Sequence, residues 1–131
     1  MSIPQKAASF LALAREDLGA AKVLLKSSPR HTAFLLSQAA EKIIKAVLTV
    51  EGISDGTNHH QLGRLVDMLP SHHFWRKDLM ELDKLTPSAT LYRYPAVGGA
   101  MPAVPNIERL ASRLQELEAL LPEVADWCRE R

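Results

Sequence analysis

The sequence has 131 residues, of which 47% are hydrophobic and 24% are charged, and its formal net charge is +1. This length and composition predict one globular domain over residues 1–131. A net charge this small excludes a global attraction to nucleic acid or membrane, so any basic site has to be local. The single cysteine excludes an internal disulfide, and no apolar run reaches the ~20 residues of a membrane span. We therefore expect a cytoplasmic protein.

The first half of the chain has the periodicity of two long helices. The first is predicted over residues 3–26, where Ser2 and Gln5 have the spacing of a capping box. The second is predicted over residues 30–51 and ends at Gly52. Its apolar residues recur every three or four positions and form one continuous stripe along the helix. The stripe consists of Leu36, Ala40, Ile43, Val47 and Val50. The rest of the chain is expected to be organised around this second helix.

Shorter elements are predicted in the middle of the chain. A third helix is expected over residues 59–69 and a fourth over residues 74–85, each ended by a proline. Residues 96–105 contain Gly98 and Gly99 and almost no polar side chain, which predicts a mobile loop. Its apolar side chains either fold back over the bundle or form a dimer contact, and we favour the dimer contact because exposed apolar patches are rarely left uncovered.

The last helix begins at Pro105 or Asn106 and has the most regular apolar repeat of the chain. Pro122 lies inside it and predicts a kink or a restart, because proline removes a backbone hydrogen bond and clashes with the preceding turn. No segment has the alternation of a strand. The sequence therefore predicts an all-α, up-and-down bundle of about five helices.

A polar face beside the apolar stripe of the second helix is the main indication of function. Gln38, Glu41, Lys42 and Lys45 are three and four residues apart, so their side chains lie next to one another. Asp17 of the first helix lies between two apolar rows. We expect it at the water-exposed edge of the buried face, and the alternative is a pair with a cation.

Four short motifs carry a resemblance to a known family. They are Ala-Arg-Glu-Asp-Leu at residues 14–18, Ser-Gln-Ala-Ala-Glu-Lys at residues 37–42, His-Gln-Leu at residues 60–62 and Arg-Tyr-Pro at residues 93–95. In this order and spacing the chain resembles the HEPN proteins (higher eukaryotes and prokaryotes nucleotide-binding). The resemblance implies a small helical bundle that is commonly a homodimer. It also implies a minimal nucleotidyltransferase as partner in a toxin–antitoxin pair.

Many HEPN proteins are RNA-cleaving toxins with an arginine followed, after four to six residues, by a histidine. This sequence departs from that pattern, since the interval between Arg64 and His72 is one residue too long. The resemblance therefore favours the Arg-Tyr-Pro branch, which is thought to bind nucleotides or partners. We assign no catalytic residue and no cofactor.

Lys42, Lys45, His60 and Arg93 are the predicted phosphate-binding residues, because lysine supplies a point charge and arginine a fork of donors. We expect the two lysines and Arg93 to converge in one cationic hollow. Supporting roles are expected for Asp17, Gln38, Glu41 and Tyr94. The alternative is that both lysines are surface cations neutralised by carboxylates and that Arg93 links its loop to the bundle.

Three further possibilities concern side chains outside this group. Tyr92 and Tyr94 either stack on a base or, as we favour, pack on the bundle. The pairs His59-His60 and His72-His73 are too far apart to share one metal ion, so no metal site is expected. The competing functions are a metal-independent ribonuclease that uses His60 or His72 as its acid–base group and a ligand-free interaction module.

Overall fold

The structure is a computed structural model and describes residues 2–54 and 61–131. Over these ranges the chain forms five α-helices and one 3-10 helix, without a strand, which confirms the all-α prediction. The 3-10 helix, Glu81–Ala89, follows directly after the fourth α-helix. The α-helices are α1 (Ile3–Leu24), α2 (Pro29–Val50), α3 (Leu62–Val66), α4 (Arg76–Met80) and α5 (Ile107–Arg129).

Local signals fix the ends of the two long helices. Ser2 Oγ accepts a hydrogen bond from the backbone N–H of Gln5 at 3.2 Å, and Gln5 Oε1 accepts one from the backbone N–H of Ser2 at 3.1 Å. The predicted capping box is therefore confirmed. Gly52 follows α2 with φ of 72°, in the left-handed region where a side chain is strained. This glycine ends α2, as predicted.

The first long helix, α1, runs antiparallel to both of its long neighbours, α2 and α5. Thr32 of α2 donates its hydroxyl to the carbonyl of Ala21 of α1 at 2.9 Å, whereas Lys42, further along α2, contacts Asp17, which lies earlier in α1. The helix α1 is also antiparallel to α5, since Lys22 near the end of α1 lies 3.7 Å from Glu118 near the middle of α5, whereas Ala8 near its start lines a cleft together with Cys128 at the end of α5. The up-and-down arrangement follows from these pairings.

The core is built around α2, which packs against α1, α5 and the 3-10 helix. Four residues of its predicted stripe are fully buried, and Val50 is partly buried. Four alanines of α2 are also fully buried, so the neighbouring helices approach its backbone closely. These alanines are Ala33, Ala39, Ala40 and Ala46.

The two short helices differ from their predicted bounds. The described part of the third helix, Leu62–Val66, is shorter than the predicted 59–69, and residues 59 and 60 lie outside the described residues. The predicted fourth helix, 74–85, is instead one turn of α-helix followed by the 3-10 helix, which continues to Ala89. Its inward residues recur every third position, which matches three residues per turn. They are Leu79, Leu82, Leu85 and Ser88.

Pro122 neither ends nor restarts the last helix, because α5 is continuous from Ile107 to Arg129. The predicted restart is therefore wrong, whereas the kink stays a prediction. Pro122 lies on the exposed side of α5, so the carbonyl that loses its intrahelical partner, that of Glu118, faces water. The cost of an unsatisfied buried group is thereby avoided.

The loop before α5 is fastened to α2 by one arginine. The Arg30 guanidinium donates to the carbonyls of Tyr92 at 3.3 Å, Pro102 at 2.9 Å and Ala103 at 3.1 Å. These bonds draw the two ends of the loop together. The side chains between and beside them, Val97, Met101 and Val104, are exposed and do not fold back over the bundle. Within the described residues, no helix has the length and apolarity to cross a membrane.

Candidate functional site

Lys42 is paired with a carboxylate of the neighbouring helix. Its Nζ lies 2.6 Å from Oδ2 of Asp17, and the two side chains are only 23% and 18% exposed. The expectation that Asp17 is a water-exposed edge residue is therefore wrong. Asp17 faces α2 at the border of the core, and at this position a cation partner compensates for the lost hydration of the carboxylate.

Lys45 lies one helical turn after Glu41, and its Nζ is 3.4 Å from Glu41 Oε2. Both side chains are about one-quarter exposed or less. Lys45 also borders a cleft of about 50 Å³ whose opposite side is formed by Lys6 and Phe10 of α1. Lys6 is a second ammonium group at this end of the bundle. Sequence reasoning missed it, because only the antiparallel pairing of α1 with α2 brings it there.

Arg93 lies beside the beginning of α2. Its guanidinium carbon is 4.0 Å from the ring centroid of Phe34 and 5.5 Å from that of Tyr94, and one guanidinium N–H donates to the Ala89 carbonyl at 2.9 Å. Tyr94 is 56% exposed, so the prediction that it packs on the bundle is wrong, whereas Tyr92 does pack against the core. A cation and an aromatic ring are therefore accessible at one edge.

The three cations do not converge in one hollow. Arg93 contacts Phe34, which precedes Lys42 by eight residues and Lys45 by eleven. At 1.5 Å per residue, these intervals are roughly 12 and 16 Å along the axis of α2. Successive residues of an α-helix are rotated by about 100° around its axis, so Phe34 and Lys45 lie only about 20° apart around α2. Both therefore belong to one face of the helix. Arg93 and Lys45 therefore mark the two ends of a strip along α2.

The middle of this strip is filled by protein. Gln38 and Glu41 border a cleft of about 20 Å³ against Thr86 and Ala89 of the 3-10 helix. A space of this size holds one water molecule at most. Gln38 and Glu41 are therefore positioned to support the strip, and they do not line a ligand pocket of their own.

The 3-10 helix also fixes the start of α3. Asp83 Oδ1 accepts from the backbone N–H of Gly63 at 2.8 Å, and Thr86 Oγ accepts from the backbone N–H of Leu62 at 3.0 Å. The Thr86 hydroxyl donates to Asp83 at 2.9 Å. Two side chains that lie 20 and 24 residues later thus satisfy the first two N–H groups of α3. The sequence contains no local signal for this cap.

The predicted histidine of the site, His60, lies outside the described residues. In the second pair of adjacent histidines, His72 is exposed, whereas the ring of His73 packs edge-on against Trp127. His73 Nδ1 accepts from the backbone N–H of Trp75 at 3.1 Å, and its Nε2 lies 3.5 Å from Glu51. Among the described residues no three side chains of metal-binding type are grouped.

These features define a class of protein, a small antiparallel helical bundle with a charged strip along its central helix. The chain belongs to the HEPN domain family, because the model of that family matches residues 7–121. The resemblance found in the four motifs is thereby confirmed. No curated protein and no solved structure matches the chain. The matched range includes all of α2 and the Arg-Tyr-Pro motif.

Proposed function

We propose that this HEPN domain binds the phosphates of RNA at the two ends of the strip on α2. The proposed contacts are Lys42, Lys45, His60 and Arg93, supported by Asp17, Gln38, Glu41 and Tyr94. The observation that carries the proposal is the exposed pair of a guanidinium and an aromatic ring at Arg93 and Tyr94. Membership in the HEPN family supports a nucleotide- or RNA-related role.

Arg93 has donors to spare for a phosphate. A guanidinium carries five N–H donors, and the structure assigns one of those of Arg93 to the Ala89 carbonyl. The Phe34 ring holds the guanidinium plane in place, which lowers the entropy lost when a phosphate binds. The exposed Tyr94 ring next to it offers a surface on which one base can stack.

The length of the strip favours a chain of nucleotides over a single nucleotide. Arg93 and Lys45 are separated by roughly 16 Å along α2. This is several times the rise of about 3.4 Å per nucleotide along the axis of a helical strand. One mononucleotide would contact one end of the strip, whereas an RNA segment contacts both ends at once.

Lys42 contributes less than the other cations, since it is already paired with Asp17 at 2.6 Å. A phosphate at Lys42 would replace or compete with this carboxylate. The gain in binding free energy is therefore the difference between two similar interactions. Arg93, which keeps donors to spare and is exposed, carries most of the proposed affinity.

The loop at residues 96–105 is proposed as the contact between two copies of the chain. Its apolar side chains are exposed, and Arg30 holds both ends of the loop in place. Burial of this apolar patch would stabilise a homodimer. We further propose that the domain works in the cytoplasm with a minimal nucleotidyltransferase in a toxin–antitoxin pair.

The test is fluorescence anisotropy with a labelled single-stranded RNA of about 20 nucleotides at fixed salt. We expect Arg93→Ala to weaken binding about tenfold, the effect of losing a charged hydrogen-bonding pair. The matched control is Arg64→Ala, which removes an exposed arginine on α3 and should leave binding nearly unchanged. Equal affinity of the wild type and Arg93→Ala overturns the proposal. Complete absence of RNA binding would favour the ligand-free interaction module.

A metal-independent ribonuclease is the second candidate function. The exposed His72 borders an open cleft of about 410 Å³ together with Lys77 and Glu81, so an imidazole, an ammonium and a carboxylate line one surface. Incubation with messenger and transfer RNA in the presence of a chelator tests this candidate. Cleavage that persists unchanged in His60→Ala and in His72→Ala contradicts it, as does wild-type protein that leaves the RNA intact.

A further inference from the structure

A separate cleft lies between the first half of α1 and the end of α5, away from the strip on α2. Its volume is about 370 Å³, within the range of roughly 300 to 1,000 Å³ that small-molecule sites occupy. The cleft is half open to solvent and has apolar and cationic parts. Its lining consists of Pro4, Ala8, Leu11, Arg15, Ala125, Cys128, Arg129 and Arg131.

Three arginines line this cleft, and the lining described by the structure includes no acidic side chain. Arg15 has no hydrogen-bonding or ionic partner among the described residues. Arg129 is paired with Asp126 on the exposed surface of α5, where such pairs contribute little. Arg131 lies over the ring of Trp127, with its guanidinium carbon 4.7 Å from the ring centroid. The excess of positive charge favours an anionic ligand.

The rest of the lining is aliphatic. Pro4, Ala8, Leu11 and Ala125 supply carbon surface, and the lining described by the structure contains no aromatic ring and no amide side chain. A nucleobase would find no aromatic ring on which to stack. A flexible hydrocarbon chain, in contrast, requires only apolar surface.

We propose that this cleft binds a small amphipathic anion, a medium-chain acyl or alkyl group with a carboxylate or phosphate head. The head group contacts Arg15, Arg129 and Arg131, and the hydrocarbon chain lies on the aliphatic surface between α1 and α5. This site is independent of the proposed RNA-binding strip, because none of its lining residues belongs to α2.

Cys128 is a reporter for occupation of the cleft. It is the single cysteine of the chain and is partly buried in the cleft lining. Burial raises the pKa of its thiol to about 11, although Arg129 and Arg131 act in the opposite direction. At pH 9 only about 1% of the thiol is therefore ionised, so alkylation is slow and measurable. A ligand that covers Cys128 slows it further.

The experiment measures the rate of alkylation of the full chain by iodoacetamide at pH 9. The probes are octanoate, octyl phosphate, inorganic phosphate and AMP, each up to millimolar concentration. We expect one or both octyl compounds to slow the reaction at least fivefold, and the more effective of the two identifies the preferred head group. Inorganic phosphate and AMP should have little effect, because neither has an aliphatic chain for the apolar surface.

Two arginine variants and one control variant test whether protection of Cys128 from alkylation depends on the proposed head-group contacts. Arg15→Ala and Arg131→Ala should each raise the octyl-ligand concentration for half-protection about tenfold. The matched control is Arg109→Ala, which removes an exposed arginine of α5 outside this cleft. Arg131 lies beyond the end of α5 at Arg129, so Arg131→Ala should leave the fold intact. This variant therefore still tests the head-group contact if Arg15→Ala proves unstable in thermal melting.

The proposal is overturned if neither octyl compound protects Cys128, or if protection is the same in both arginine variants as in the wild type. Equal protection by inorganic phosphate also overturns it, since the aliphatic surface would then play no part. Stronger protection by AMP would identify a nucleotide site and contradict the amphipathic ligand. If the two sites are independent, Arg15→Ala leaves the RNA affinity in the anisotropy assay unchanged. Failure of one proposal is therefore distinguishable from failure of the other.

Discussion

Lys42 and Asp17 form a charged hydrogen bond of 2.6 Å between α2 and α1, at a position where each side chain is less than one-quarter exposed. The two residues are 25 positions apart in the sequence. This pair does more than neutralise a lysine. It determines which cations of α2 are available to a ligand, and it connects the two helices that share the most extensive contact in the bundle.

The Lys42–Asp17 pair is expected to stabilise the fold. Asp17→Asn and Lys42→Met should each lower the free energy of unfolding by about 1–3 kcal/mol, because each leaves a half-buried charge without its partner. The double variant should lose less than the sum, with a coupling energy of about 1–2 kcal/mol in urea unfolding. The control is the pair Lys22–Glu118, whose charged atoms are 3.7 Å apart and whose side chains are 69% and 39% exposed. The coupling energy of this exposed pair should stay below about 0.5 kcal/mol.

Asp17→Asn is also expected to change the proposed RNA binding. Removal of the carboxylate leaves the ammonium of Lys42 available to a phosphate, so RNA affinity in the anisotropy assay should rise about threefold, a gain of roughly 0.7 kcal/mol. Lys42→Met should not show this gain. An affinity of Asp17→Asn equal to that of the wild type would mean that Lys42 is a structural residue with no part in the strip.

Gly63 is expected to tolerate no side chain. A Cβ atom there would lie 2.8 Å from Asp83 Cγ, and Asp83 cannot move away without releasing its bond to the Gly63 N–H. Gly19 in α1 is the matched position, because a Cβ there meets nothing within 4 Å. Gly63→Ala should be less stable than Gly19→Ala by about 1–2 kcal/mol in urea unfolding, the size of a lost helix cap. Equal stability would show that the cap of α3 is dispensable.

Glu116 of α5 should contribute stability that disappears in acid. Burial raises the pKa of its carboxyl, but the hydrogen bond and charge of Lys84, together with Arg113, outweigh burial and lower this pKa below the usual 4.5. A lowered folded-state pKa gives stability that is fully present above about 4.5 and is lost as the pH falls through the folded value.

Glu116→Gln tests this dependence by melting temperature between pH 7 and pH 3. The variant should melt below the wild type at pH 7, and the difference should shrink as the pH falls through the lowered folded-state pKa and the wild-type carboxyl becomes neutral. Glu108→Gln, near the start of the same helix and without a described ion pair, serves as control and should show no such convergence. A difference in melting temperature between Glu116→Gln and the wild type that stays constant with pH would contradict the lowered pKa of Glu116.

The sequence by itself determined the helical elements whose signals are local. The capping box at Ser2, the stop at Gly52 and the stripe of α2 depend on residues within one or two turns, so periodicity and turn chemistry were sufficient to predict them. The all-α class followed from the same local patterns. The three-residue spacing from Leu79 to Ser88 was also present in the sequence, although it indicates a 3-10 helix only when the burial of each position is known.

Tertiary structure alone decided which charged groups meet. Asp17 contacts Lys42, Arg93 lies on Phe34, and Arg15 and Arg131 line one cleft, in each case because segments distant in sequence pack side by side. The register and rotation of packed helices depend on how whole side-chain surfaces interlock, and no short stretch of sequence specifies this. The helices were therefore predictable one by one, whereas the pairing of their charges was not.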